Sequence, residues 1–151
     1  EFSIALEMLS MAKKPITVFA KTTSPCRSEE GLLAIADKTI FDLTIDEYDS
    51  LLLTGVADLK DTIEDEGILA FIKSFDRRDI TIGAISIAPI LLLKLGMLKG
   101  KRFMAGVDKS DLYEEGFTEE DLAHMVGWSD NFENPVADGY IQDGNIITSV
   151  S

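Results

Sequence analysis

The stretch ITIGAISIAPILLLKLGMLKG, residues 80–100, decides how the rest of the chain is read. Residues 80–85 are apolar and rich in β-branched side chains, the pattern of a strand buried on both faces of a parallel sheet. Pro89 suits the first turn of a following helix, and Gly96 supplies a stop for it. Between strand and helix stands Ser86, with Ala84 and Ala88 two residues to either side. A nucleophile elbow needs small residues at those positions, because the sharp turn crowds them. N–H groups opening the helix could then steady an oxyanion. The same window also reads as a helix N-cap, in which Ser86 or a neighbour satisfies free N–H groups. Both readings stand at this point.

Working outward, YDSLLLTG (48–55) is a second strand that is apolar on both faces, and ITVFA (16–20) is a third. Residues 32–41 are ambiguous, with TIF a candidate short strand, and RFMAG (102–106) is another. Residues 2–13 space their apolar side chains as a helix does, and Pro15 ends it. Ile68, Phe71, Ile72 and Phe75 place a helix over 62–78, with Thr62 and Asp65 as a capping box. Acids open that helix and bases close it, matching its dipole. Thr118–Val126 reads as an amphipathic helix ending at Gly127. GYIQDGNIITSV then carries two β-runs around Asp143-Gly144, a hairpin signal. Alternating strands and helices argue for an α/β fold in which 16–20, 48–54 and 80–85 lie parallel in one sheet. Ligands of such folds bind beyond the carboxyl ends of the strands, here the loops TGVADLKD and SIAP.

Composition narrows the class. The chain has 151 residues, 46% apolar and 27% charged, the profile of one soluble globular domain. Its net charge of −13, from 27 acids against 14 bases, repels phosphate backbones and anionic lipid, so neither nucleic acid nor membrane is an expected partner. No apolar run spans a bilayer, and Glu1 and Glu7 sit where a signal peptide carries positive charge. Cys26 is the only cysteine, in a polar loop, which suits a reducing, cytoplasmic location.

The segments YDSLLLTGVADL, GILAFIKSF, ITIGAISIAPILLLKLGMLKGKR and DGNIITS, in that order, resemble the ThiJ/PfpI family. That family belongs to the class I glutamine-amidotransferase-like superfamily. The resemblance implies a flavodoxin-like three-layer α/β/α sandwich with a mainly parallel sheet and a late β-hairpin, commonly as a homodimer. It also implies that Ser86 stands where the family usually carries a cysteine. Gly55-Val56 stands where two glycines help form an oxyanion hole. Glu1 matches an acidic residue that hydrogen-bonds the cysteine. Ile87 replaces the histidine that protease-like members place after the nucleophile. The family's first strand and last helix are expected beyond Glu1 and Ser151 of this single domain.

His124 is the only histidine, so a serine–histidine pair would have to use it. Its helix spacing from Glu120 and Asp121 predicts a solvated side chain far from Ser86. The acids of DKSDLYEEGFTE approach calcium-loop spacing, but Tyr113 occupies the place of the loop glycine. No zinc or phosphate-loop motif is present, and neither metal nor cofactor is expected. Trp128 and Phe132 are expected to pack into core or loop, with a pocket lining or partner surface as the alternative.

Two functions follow. One is a degenerate, non-catalytic module that senses a small carbonyl-containing ligand or mediates dimerisation. The other is a hydrolase, amidase or aldehyde-adduct enzyme with Ser86 attacking, Glu1 positioning its proton, and the N–H groups of Val56 and Ile87 holding the oxyanion. A serine hydroxyl depends on a base far more than a thiol does, and none beyond one carboxylate is visible, which favours the first.

Overall fold

The computed structural model describes residues 2–28, 31–56 and 58–151. Two compact units divide at Glu47 and Tyr48. In the first, helix α1 (Phe2–Met11) closes with Lys13 at φ 54°, a left-handed residue where glycine is usual. Lys14 N–H bonds Leu9 O at 3.0 Å and Lys13 N–H bonds Ser10 O at 2.9 Å, so the last carbonyls are satisfied before Pro15. The run 16–20 forms a ladder only at β1 (Phe19–Ala20). Strands β2 (Cys26–Arg27) and β3 (Leu33–Ala34) pair antiparallel, and β1 pairs in parallel with β4 (Lys38–Thr39). The single sheet expected for 16–20, 48–54 and 80–85 is therefore corrected: β1 belongs to a separate two-stranded ladder.

The second unit holds the four-stranded sheet. β5 (Ser50–Leu53), β6 (Thr81–Ile85) and β10 (Ile146–Ser149) run parallel, and β9 (Ile141–Asp143) joins β10 as the antiparallel hairpin. β6 lies between two neighbours, and its burial alternates along the strand: Ile82 and Ala84 are buried, Gly83 and Ile85 half-buried, and Thr81 exposed. Asp143 pairs with Ile146, so the hairpin turn is Gly144-Asn145, one residue later than the Asp-Gly signal suggests. Gly144 takes φ 65°, as the first central residue of a II′ turn requires. Asn145 ties this turn inward, its amide donating to Arg77 O at 3.0 Å and Ile80 O at 2.6 Å.

The helix expected over 62–78 is two shorter ones, α2 (Leu59–Ile63) and α3 (Glu66–Lys73). Two aspartates split it. Asp58 accepts from Asp61 N–H and Asp65 from Ile68 N–H, each at 3.0 Å, so each starts a new helix. Thr62 is no cap; its hydroxyl donates to Asp58 O at 2.7 Å. Buried Phe71 and Phe75 meet edge to face at 5.2 Å, the apolar side that the spacing predicted.

α4 (Pro89–Lys94) buries every residue from Pro89 to Leu93 and ends at Gly96, φ 72°, in the same closing motif as α1. β7 (Phe103–Met104) pairs in parallel with β8 (Met125–Val126). The amphipathic helix expected over Thr118–Val126 is absent. Glu119–His124 are turns, with Thr118 N–H and Oγ1 both donating to Asp121 Oδ2 at 2.9 and 2.7 Å, and Met125–Val126 is strand. That local cap competes with helix continuation. Helices α5 (Lys109–Glu114) and α6 (Trp128–Glu133) follow β7 and β8. Trp128 is 49% exposed and Phe132 81%, so neither is part of the buried core.

Candidate functional site

Ser86 follows the last residue of β6, and only Ile87 and Ala88 separate it from α4. Ala88 N–H donates to Ile85 O at 3.1 Å, closing a four-residue turn around Ser86-Ile87. Ser86 has φ 63°; Ile87 is not among the described residues with positive φ. Positive φ at the first central residue alone is the II′ pattern, whose natural occupant is glycine. A serine held there costs about 1–3 kcal/mol, a strain that survives only where the surroundings impose it. The N-cap position of α4 falls to Ala88, which has no side chain to accept a hydrogen bond, so Ser86 does not serve as that cap.

The surroundings do impose it. Ser86 N–H donates to Ser149 O at 2.9 Å on the β10 side, and Ser86 O accepts from Gly106 N–H at 2.7 Å beyond β7. The residue is half-buried. Met104 N–H reaches Thr148 Oγ1 at 3.0 Å, and Gly106 abuts the Val150 carbonyl, so β7 runs in the direction of β10. Gly106 and Ser149 were not read as site residues from the sequence. The available signal was a glycine immediately after the short β-run FMA.

Leu53 pairs with Ala84, which places Gly55 two residues on at the level of Ser86, followed by Val56; both are half-buried. Ile87 is half-buried, and its carbonyl accepts from Ile90 N–H at 3.0 Å inside the turn leading to α4. By this register Gly55, Val56, Ser86 and Ile87 lie beyond the carboxyl ends of β5 and β6, the edge where α/β folds hold ligands. Glu1, the residue expected to approach the Ser86 hydroxyl, lies outside the described residues. The Ser86 hydroxyl makes no side-chain hydrogen bond to another described residue.

His124 stands at the other end. Phe103 N–H donates to His124 O at 3.3 Å, whereas Ala105 N–H donates to Val126 O at 3.1 Å. Three residue steps along β7 and its extension separate Phe103 from Gly106, roughly 10 Å at strand rise. The His124 side chain is exposed and borders a concavity of about 390 Å³ with Lys99, Lys101, Glu120 and Asp121. The expectation of a solvated histidine away from Ser86 agrees with this placement, although the element carrying it is a turn.

Beside the Ser86 edge, Asp108 locks the loop after β7 onto the start of α6. Ser129 N–H and Oγ both donate to its carboxylate at 2.8 Å, and Trp128 N–H donates to Val107 O at 3.2 Å. These bonds, the backbone one first, hold the Asp108 carboxyl below its ordinary value. Among the described residues no cluster of three or more potential ligands could hold a metal ion. Nor is any described helix long and apolar enough to cross a membrane.

A strained strand-to-helix elbow at the carboxyl edge of a parallel sheet defines an α/β protein of the elbow-site class. The chain belongs to the DJ-1/PfpI family, whose model matches residues 1–151. It is 25% identical over 140 residues to an uncharacterized protein of Methanocaldococcus jannaschii, covering 90% of this chain and 60% of that one. It is 34% identical over 110 residues to the DJ-1 protein homolog E of Arabidopsis thaliana, covering 73% of this chain and 24% of that one. The chain therefore spans less than two thirds of either relative. Among solved structures, the ThiJ/PfpI domain protein of Brachyspira murdochii superposes with a TM-score of 0.75 at 12% identity, covering 98% of this chain and 77% of that one. That likeness establishes the flavodoxin-like α/β fold.

The elbow strain is measurable. Ser86→Gly is expected to raise the unfolding free energy by about 1 kcal/mol, since glycine adopts positive φ without the penalty. Urea denaturation of the two proteins side by side checks it; a variant less stable than the parent would contradict a strained serine.

Proposed function

We propose that this chain is a ligand-sensing, non-catalytic member of its family, in which the Ser86 elbow receives a small carbonyl-containing molecule without turning it over. The supporting observation is the separation of Ser86 from His124 along β7 and β8: Ser86 sits in a strained turn, but the one histidine faces solvent at the far end. In this reading Ser86 donates to the ligand oxygen, and the N–H groups of Val56 and Ile87 flank it. A homodimer and a cytoplasmic location complete the proposal, drawn from the family resemblance and from the exposed, unpaired Cys26. The positive φ of Ser86 favours a second reading, hydrolase or amidase, because backbone strain gathers at nucleophiles.

Two reagents separate these. Wild-type protein is expected to resist a serine-directed fluorophosphonate, since no imidazole removes the hydroxyl proton. Rapid, stoichiometric labelling at Ser86 would establish the hydrolase reading instead. In a Cys26→Ser background, Ser86→Cys is expected to give a thiol titrating below the ordinary value of about 8.5, because turn and helix N–H groups favour thiolate. Iodoacetamide rates against pH measure it, and an unshifted thiol would remove the anion-stabilising edge from the proposal.

A further inference from the structure

We infer that Gly106 is a positioning residue for the Ser86 elbow, which no side chain can replace without displacing it. The inference rests on the reading of Ser86 as the site residue, and adds to it the element that holds the turn. Gly106 leaves β7 and donates its N–H to Ser86 O at 2.7 Å, a hydrogen bond at the short end of the ordinary range. A Cβ at position 106 would stand 2.5 Å from Val150 O, 3.1 Å from Ser86 Cα and 3.3 Å from Ser86 C. All three are backbone atoms, so no rotamer change relieves the contact. Gly106 does not take positive φ. Its requirement is therefore steric: L residues can adopt that backbone, but their Cβ would wedge Ser86 away from Val150. The wedge opens where Ser86 N–H meets Ser149 O and where Ser86 O meets Gly106 N–H, the two bonds that hold the strained residue from either side.

Gly83, in the middle of β6, supplies the contrast. A Cβ there would meet Leu52 Cδ1 at 2.8 Å, the mobile end of a side chain, and otherwise only Leu51 O at 4.0 Å. Gly83→Ala perturbs packing on the same strand while leaving the elbow backbone in place.

The experiment adds Gly106→Ala or Gly83→Ala to the Cys26→Ser/Ser86→Cys protein and to wild type. In the cysteine background, Gly106→Ala is expected to return the thiol toward about 8.5 and to slow alkylation at pH 7 about tenfold, whereas Gly83→Ala leaves the titration unchanged. In the wild-type background, Gly106→Ala is expected to speed amide hydrogen exchange at Ser86 by more than tenfold beyond any change at Ile82, whose N–H is held by Asn145 O. Equal changes at Ser86 and Ile82 would overturn the inference by reducing Gly106 to a general stability role. So would a shifted thiol that Gly106→Ala leaves where it was. A parent thiol with no shift defeats the anion-stabilising site alone, because the exchange comparison still reads the positioning. Should Gly106→Ala not fold, the scalar coupling across the Gly106 N–H to Ser86 C=O hydrogen bond in wild-type protein carries the test, and its absence overturns the inference.

Discussion

Ile82→Ala is expected to lower the unfolding free energy by about 2–5 kcal/mol, a large share of the 5–15 kcal/mol that a domain commonly has. Ile82 sits in the central strand β6 with no exposed surface, opposite Leu51 on β5 and Ile146 on β10. Those two neighbours are each 4% exposed, so three strands contribute to one apolar layer. Removing the side chain forfeits its transfer free energy and leaves a void that three hydrogen-bonded strands cannot collapse to fill. Thr81→Ala, one residue earlier on the exposed side of the same strand, should stay within about 1 kcal/mol of wild type. Urea midpoints followed by circular dichroism compare the three proteins. An Ile82→Ala variant as stable as Thr81→Ala would refute the placement of β6 at the centre of the sheet.

Thr148→Val should cost about 1–3 kcal/mol although it conserves shape. Thr148 is 1% exposed, and its hydroxyl accepts from Met104 N–H at 3.0 Å while facing Ile141 O at 3.4 Å. Met104 is fully buried, so valine leaves an N–H with neither water nor protein to receive it. The hydroxyl thereby fastens β7 to β10, the strand pair that carries Gly106 and Ser149 to Ser86. Thr148→Ser keeps the hydroxyl and should recover most of the loss. Amide exchange at Met104 reads the bond directly: it should quicken in the valine variant and not in the serine one. Unchanged exchange and stability in Thr148→Val would dissolve this link.

The amino-acid sequence by itself determined the features whose signal is local. Strands 48–54 and 80–85 announce themselves by being apolar on both faces, and their parallel pairing follows from the helical segments between them. Gly96 and Pro89 mark the ends of α4, because left-handed closure and a missing N–H are properties of single residues. The turn at Ser86 was legible from Ala84 and Ala88 for the same reason. Gly144-Asn145 was legible to within one residue.

Tertiary structure alone decided the rest, since it depends on atoms distant in sequence or on a contest between equal local options. Asp65 could continue a helix or start one, and its bond to Ile68 N–H settled the split. Thr118–Val126 has helical spacing, yet Met125 and Val126 gain more as strand beside Phe103 and Met104. Nothing around position 106 says that the next atoms belong to Ser86 and Val150, residues twenty behind and forty-four ahead. The placement of His124 away from Ser86 likewise comes from which ends of β7 and β8 meet, a matter of register between strands and not of any residue's own preference.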